Sequence, residues 1–169
     1  MRSIKSLFLL TLAFGVITLN SCKKDKDSTP SATISASVDG TATNFNTGAI
    51  AIQGSVNGAT ITNIEGTAAN KTAISITISG TPVAGKTYSN TSSNDDDKPL
   101  IAYIVTDDEQ YLNDDDSQSN PASLTITSVT STTVEGTFKG DLVDIQGSNG
   151  TAKKKVITNG KFNITLKKQ

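Results

Sequence analysis

The fold is decided by one stretch of seven residues, Ala73-Ile74-Ser75-Ile76-Thr77-Ile78-Ser79. Isoleucine occupies every second position, and the positions between the isoleucines carry serine or threonine. Successive side chains of a strand point to opposite faces of a sheet, so this spacing produces one apolar face and one hydroxyl-bearing face. The stretch therefore predicts a strand of a half-buried sheet.

The same β character continues along the chain, where threonine, serine, isoleucine and valine dominate and no helical period is sustained. Residues 100–105 are apolar on both phases, which predicts a central strand covered on both faces. Seven further strands are predicted at residues 34–38, 41–45, 50–56, 59–64, 124–126, 134–139 and 162–167.

Turn dipeptides separate these strands. Asp39-Gly40 and Asn57-Gly58 each divide two strand-like runs and tolerate the positive φ that type I′ hairpin turns require. Asn159-Gly160 predicts either a tight turn or a bulge. Many short strands joined by tight turns predict an all-β domain over residues 32–169, built as a single antiparallel β-sandwich, with barrel-like closure left open.

The N-terminal segment has the features of an export signal. Arg2 and Lys5 precede an apolar run at residues 7–17, which is shorter than the ~20 residues that a membrane-spanning helix needs. Cys22, the single cysteine, follows at the end of Leu19-Asn20-Ser21-Cys22. We predict a signal peptide at residues 1–21 and a mature chain that begins at Cys22.

The stretch ending at Cys22 resembles the lipobox of bacterial lipoproteins, in which cleavage leaves an acylated cysteine at the mature N-terminus. The resemblance implies lipidation of Cys22, and several acyl chains make such an anchor effectively permanent. Residues 22–31 are then a lipidated cysteine and a flexible tether. Lys23 stands where aspartate often retains such proteins at the inner membrane. The outer membrane is the expected location, with the periplasmic and surface faces both open.

The mature domain resembles small Bacteroidota-type lipoproteins that carry an all-β domain of unknown function. The resemblance rests on Ala36-Ser37-Val38-Asp39-Gly40, Gly85-Lys86-Thr87-Tyr88, the strand with Gly136-Thr137-Phe138, and the final Ile157-Thr158-Asn159-Gly160-Lys161-Phe162. It spans most of residues 33–167. It implies an all-β fold and transfers no catalytic residue.

Composition excludes several kinds of chemistry. The chain has no histidine and no tryptophan, and its single cysteine is assigned to lipid. Catalytic triads, histidine-bound zinc and thiolate metal sites are therefore excluded. Removal of residues 1–21 lowers Lys plus Arg from 15 to 13 against 16 acids, a net charge of −3, and this weakly acidic chain offers no basic field for nucleic acid.

Carboxylates are concentrated in three runs, at residues 95–97, 107–109 and 114–116, within segments 89–99 and 107–121 that we predict to be polar loops. Calcium takes 6–8 oxygen ligands, which loop aspartates can supply. The candidate ligands are Asp107, Asp108, Asp114 and Asp116. The alternative is solvated charge that keeps sheet edges soluble.

Other candidate residues are few. Glu65 and Glu135 are strand residues that a glycosidase of the two-carboxylate type could use. Phe45, Phe138 and Phe162 fall on inward strand phases, and Tyr88 and Tyr103 are expected to pack in the core as well. Tyr111 lies between two acidic runs, so we predict an exposed residue there that contacts a ligand.

These observations predict a non-catalytic, lipid-anchored envelope protein that acts as an accessory or binding module. No cofactor is expected, apart from calcium if the acidic loops bind it. The expected partners are the membrane, through the acyl chains, and an envelope protein or glycan. A calcium-stabilised structural domain is the alternative function, and a carboxylate-dependent glycosidase is the third.

Overall fold

A computed structural model describes residues 32–115, 117, 119–145 and 153–169. Cys22, the stretch before it that resembles a lipobox, and the predicted tether lie outside the described residues. Within the described part of the chain no helix is long and apolar enough to cross a membrane.

The described chain folds into strands joined by turns, with one 3-10 turn at Asp95–Asp97. The strands are β1 (Thr33–Val38), β2 (Thr41–Asn44), β3 (Thr47–Val56), β4 (Ala59–Thr67), β5 (Ala73–Ser79), β6 (Thr87–Ser89), β7 (Leu100–Thr106), β8 (Glu109–Asn113), β9 (Ser123–Val129), β10 (Thr133–Asp144) and β11 (Lys154–Lys168).

All of these strands belong to one 11-stranded sheet with the order β2-β1-β11-β3-β4-β5-β7-β8-β10-β9-β6. An additional pairing joins β10 to β11 and closes the sheet into a ring. The pairings are antiparallel except that of β3 with β11, which is parallel. The prediction of an all-β domain is confirmed, in the form of one large mixed sheet with ring-like closure.

The core lies inside the ring. Ala51, Ile64, Ile76 and Ile101 occupy directly opposed positions on four neighbouring strands and are fully buried. This row includes Ile76 of β5, so the apolar face that predicted β5 extends across the neighbouring strands. The aromatic residues expected in the core are also buried, namely Phe45, Tyr88, Tyr103, Phe138 and Phe162. Burial of such large apolar side chains contributes about 1.5–3 kcal/mol each.

Several local predictions can be compared with the structure. Asp39 and Asn57 have φ of 50° and 51° and are each followed by a glycine with φ of 82°, as type I′ turns require. Asn159 marks a bulge rather than a turn, because the β10–β11 register shifts there. β7 is central, between β5 and β8. On its outward phase Ala102 is buried but Leu100 and Ile104 are only half-buried, so the expected cover on both faces is incomplete.

Several predicted boundaries were wrong, and two of these errors concern how the strands pair. The segment 107–121 is not a continuous loop, because Glu109–Asn113 forms β8 and pairs with both β7 and β10. The final strand begins at Lys154, well before residue 162. Both errors concern polar segments that lack a clear apolar alternation. These segments form strands because their backbones pair with neighbouring strands, which side-chain alternation cannot reveal.

β10 and β11 pack together through paired phenylalanine and glycine positions. Gly136 lies opposite Phe162, and Phe138 lies opposite Gly160. A Cβ at Gly136 would lie 2.5 Å from Phe162 Cζ, and one at Gly160 would lie 2.7 Å from Phe138 Cγ. The two rings contact each other with centroids 6.4 Å apart. Each ring therefore occupies the space that a side chain on the opposite strand would need.

Replacement of either glycine with alanine should destabilise the fold by about 2–3 kcal/mol, because the added methyl group would collide with a backbone carbonyl oxygen of a neighbouring strand as well as with a packed ring. The matched control is Gly54→Ala in β3, where an added Cβ meets nothing within 4 Å. Urea unfolding followed by circular dichroism measures both. Equal stability of Gly160→Ala and Gly54→Ala would contradict the packing described here.

Candidate functional site

The outer face of the sheet carries a shallow polar concavity of about 370 Å³. Four strands, β1, β9, β10 and β11, contribute its outward side chains. Hereafter "the polar concavity" means the surface formed by Thr33, Ser35, Thr127, Glu135, Thr137, Lys161 and Asn163 over the backbone of Gly136 and Phe162.

Strand register brings these side chains together in two rows. The first row runs from Thr33 through Asn163 to Glu135, and the second runs from Ser35 through Lys161 to Thr137. Directly opposed side chains in such pairs lie ~4.5–5.5 Å apart. Each row can therefore place three polar groups within reach of one small ligand.

Bulges curve this part of the sheet. The register of β11 shifts against β1 and against β10, and the register of β9 shifts against β10 beside Gly136. An extra residue in one strand bends it, increases its twist and redirects side chains. Thr127 is the residue skipped in the β9 ladder, and it lines the polar concavity.

The hydrogen bonding inside the polar concavity is sparse. Asn163 Nδ2 donates to Glu135 Oε1 over 3.1 Å, which orients both side chains. The ammonium group of Lys161 has no hydrogen-bond or ion-pair partner among the described residues. The hydroxyl groups of Thr33, Ser35 and Thr137 are likewise unbonded within that part of the chain. These groups point outward and can bond to a ligand.

In a second polar patch, on β4 and β5, the side chains form hydrogen bonds with one another. Asn63 Nδ2 donates to Glu65 Oε2 over 2.7 Å, and Asn63 Oδ1 accepts from Ser75 Oγ and Thr77 Oγ1 over 2.9 and 3.1 Å. These side chains satisfy one another on a half-buried surface. The contrast identifies the polar concavity as the better candidate site.

The two glutamates proposed for catalysis are not brought together. Glu135 lines the polar concavity on β10, whereas Glu65 lies on β4, and strands β11 and β3 separate β10 from β4. Three strand separations of ~4.8 Å exceed the ~5–9.5 Å spacing of glycosidase carboxylates.

Tyr111 is buried, so the prediction of an exposed contact residue was wrong. Its side chain is 1% exposed and lies on the inward phase of β8, opposite Tyr103 with ring centroids 6.3 Å apart. The hydroxyl donates to Glu109 Oε1 over 2.6 Å. This hydrogen bond, together with burial, raises the pKa of Tyr111 to about 12. Glu109 therefore satisfies the phenol hydroxyl, and the ring can be buried.

The calcium hypothesis gains no support from the described acidic residues. No group of three or more aspartates or glutamates within them is placed to hold a metal ion. Asp114 accepts a salt bridge from Lys154 Nζ over 3.1 Å. Asp116 lies outside the described residues. Calcium binding by Asp107, Asp108, Asp114 and Asp116 therefore stays a hypothesis, which calorimetric titration of the wild type and Asp114→Ala tests.

Sequence reasoning missed a buried carboxylate at Asp141. This β10 residue is 9% exposed and accepts hydrogen bonds from Ser117 Oγ, Ser119 Oγ and Asn120 Nδ2 over 2.8, 3.2 and 2.9 Å. Its backbone oxygen also accepts from the Asp114 amide. The network ties the chain after β8 to β10. No local pattern indicated it, because the partners are more than 20 residues away.

The pKa of Asp141 reflects two opposing effects. Burial alone would raise it. The hydrogen bonds from Asn120, Ser117 and Ser119, together with the charge of Lys154, outweigh burial and hold the pKa of Asp141 below its usual value. The carboxylate is therefore ionised at neutral pH and acts as the shared acceptor for these three side chains.

Comparison of the chain with protein-family models, curated proteins and solved structures found no match.

The sequence held a partial signal for the polar concavity. Of the residues that line it, only Glu135 was considered for a functional role in the sequence. Thr137 and Lys161 appeared only in the motifs that carry the family resemblance, and Asn163 appeared only within the strand predicted at residues 162–167. The fact that β1, β10 and β11 are neighbours could not be read from one sequence, since their pairing spans most of the chain.

Asp141→Asn should destabilise the protein by about 2–3 kcal/mol at pH 7, since three donors lose their charged acceptor. The folded-state pKa is lowered, so the stabilisation is fully present above the unfolded pKa of ~3.9 and is lost as pH falls through the folded pKa. Urea unfolding at pH 7 and at pH 3 measures both. A stability difference between wild type and Asp141→Asn that did not shrink at pH 3 would contradict this account.

Proposed function

We propose that this chain is a lipid-anchored protein of the bacterial outer membrane whose β domain binds an envelope protein or glycan without catalysis. One observation carries the binding role. Four adjoining strands direct hydroxyl, amide, carboxylate and ammonium groups into one concavity, and most of these groups have no bonding partner among the described residues.

Support for the anchor comes from the sequence. Cys22 follows a basic and apolar N-terminal segment, and no second cysteine exists with which it could form a disulfide. Ten residues lead from Cys22 to the described domain at Ala32, and a chain of that length reaches at most about 35 Å. A lipidated Cys22 would hold β1, which contributes Thr33 to the polar concavity, close to the membrane.

The non-catalytic assignment is supported by the groups that line the polar concavity. They include one carboxylate, that of Glu135. Glycoside hydrolysis by the common mechanism needs two carboxylates on opposite sides of the bond. The chain has no histidine to act as a general base near neutral pH. The lining groups suit hydrogen bonding to a ligand that stays intact.

The anchor can be tested on native protein purified in detergent. Intact-mass and peptide mass spectrometry should find a chain that begins at Cys22 and carries acyl groups on sulfur and on the amino nitrogen. Cys22→Ser should lose this modification and leave the membrane fraction. A native chain that began elsewhere, or a Cys22 with a free thiol, would contradict the anchor.

The binding role can be tested by site-specific photo-crosslinking in living cells. A benzoyl-phenylalanine at Thr137, which is exposed and lines the polar concavity, should form an adduct of higher mass after irradiation. The matched control carries the same group at Thr60, an exposed β4 residue that does not line it. Equal or absent adducts at the two positions would contradict a binding role for the polar concavity.

A further inference from the structure

We infer that the ligand of the polar concavity is a neutral sugar unit of an envelope glycan or glycolipid. This inference rests on the proposed binding role and narrows its ligand class. Its basis is the combination of groups that the concavity presents, the way they are spaced, and the absence of an exposed large hydrophobic side chain among its lining residues.

The lining groups match a ligand with many hydroxyls. Glu135 and Lys161 contribute one negative and one positive charge, so the polar concavity has no excess of either sign. Carboxylate oxygens accept from sugar hydroxyls, ammonium hydrogens donate to them, and amide and hydroxyl groups do both. An anionic ligand would call for several cations, and a metal ion would call for several carboxylates.

The geometry suits one or two sugar rings. The two rows described above cross three strands, which gives an area of ~10 Å across the strands. Rows two residues apart along a strand are separated by ~7 Å. The orienting bond between Asn163 and Glu135 leaves Asn163 Oδ1 and the second carboxylate oxygen available as acceptors. Neighbouring hydroxyls of one ring can therefore meet groups from both rows.

A protein partner fits this surface less well. Stable protein interfaces bury about 800 Å² on each side and have an apolar, aromatic-rich centre. The large hydrophobic residues that are exposed in the described structure are Val56, Val83, Ile145 and Val156, and none of them lines the polar concavity. The Phe162 ring is packed against Gly136 on the inner face.

Saturation-transfer NMR on the detergent-purified native protein tests the inference. The probes are neutral trisaccharides of glucose, mannose, galactose or N-acetylglucosamine, with oligogalacturonate and chitosan oligomers as acidic and basic comparisons. At least one neutral trisaccharide should bind, and the charged oligomers should bind more weakly. Glu135→Gln and Asn163→Ala should each weaken binding about tenfold, the usual effect of losing an oriented hydrogen bond.

Glu65→Gln is the matched control, because it removes a carboxylate from the second polar patch and should leave sugar affinity unchanged. Lys161→Met provides a further variant at an exposed position, in case Asn163→Ala fails to fold. Binding of charged oligomers alone, or equal affinity of Glu135→Gln and Glu65→Gln, would overturn the inference. So would the absence of binding by every neutral probe at millimolar concentration.

A competition experiment distinguishes a lipid headgroup from a glycan polymer as the source of the sugar. The protein is reconstituted into phosphatidylcholine nanodiscs that contain or lack digalactosyl diacylglycerol. Competition by the glycolipid supports sugar binding with a lipid headgroup as the source, and undiminished trisaccharide binding supports it with a glycan polymer as the source. If Thr137 forms adducts in cells but no neutral sugar binds, the binding role stands and the sugar assignment fails.

Discussion

The close pairing of β10 with β11 is the constraint on which the rest of the structure depends. β11 is the longest strand, and it pairs with β10 and β1 and, through its last residues, with β3. These pairings close the ring and give the isoleucine core an enclosed interior. The pairing is specific because Phe138 and Phe162 each lie over a glycine of the opposite strand. A slip of β11 by one residue against β10 would direct Phe162 to the outer face while Phe138 stayed inside.

The same pairing sets the outer surface. With Phe138 and Phe162 directed inward, the intervening residues Thr137 and Lys161 must point outward beside each other. Glu135 and Asn163 lie opposite each other two residues further along the same strands, and they also point outward. The motifs that the sequence presented as structural therefore have two faces, with packed rings on the inner face and the polar groups of the concavity on the outer face. The bulges near Asn159 and Thr127 then curve that face into a concavity.

Side-chain alternation was enough to predict the strands whose inward phase is purely aliphatic. β5 was predicted at its observed bounds because isoleucine alternates along it without interruption. β8 was missed because Glu109, Gln110 and Asn113 surround its one aromatic residue, and the burial of Tyr111 depends on a hydrogen bond to Glu109. Because the buried residue is a tyrosine bonded to a nearby acid, the sequence of this strand shows no alternation of apolar residues.

The candidate site was only partly predictable for a related reason. Each residue of the polar concavity reads as an ordinary outward strand residue, and what distinguishes the set is the neighbour relation of β1, β9, β10 and β11. These strands become neighbours through pairing between distant parts of the chain. The network around Asp141 likewise joins residues that are far apart in the sequence. The most direct test is an NMR titration of the ¹⁵N-labelled protein with a neutral trisaccharide. The amides of Glu135, Thr137, Lys161 and Asn163 should shift saturably while those of Asn63 and Thr77 stay fixed, and shifts confined to other parts of the sheet would contradict the account.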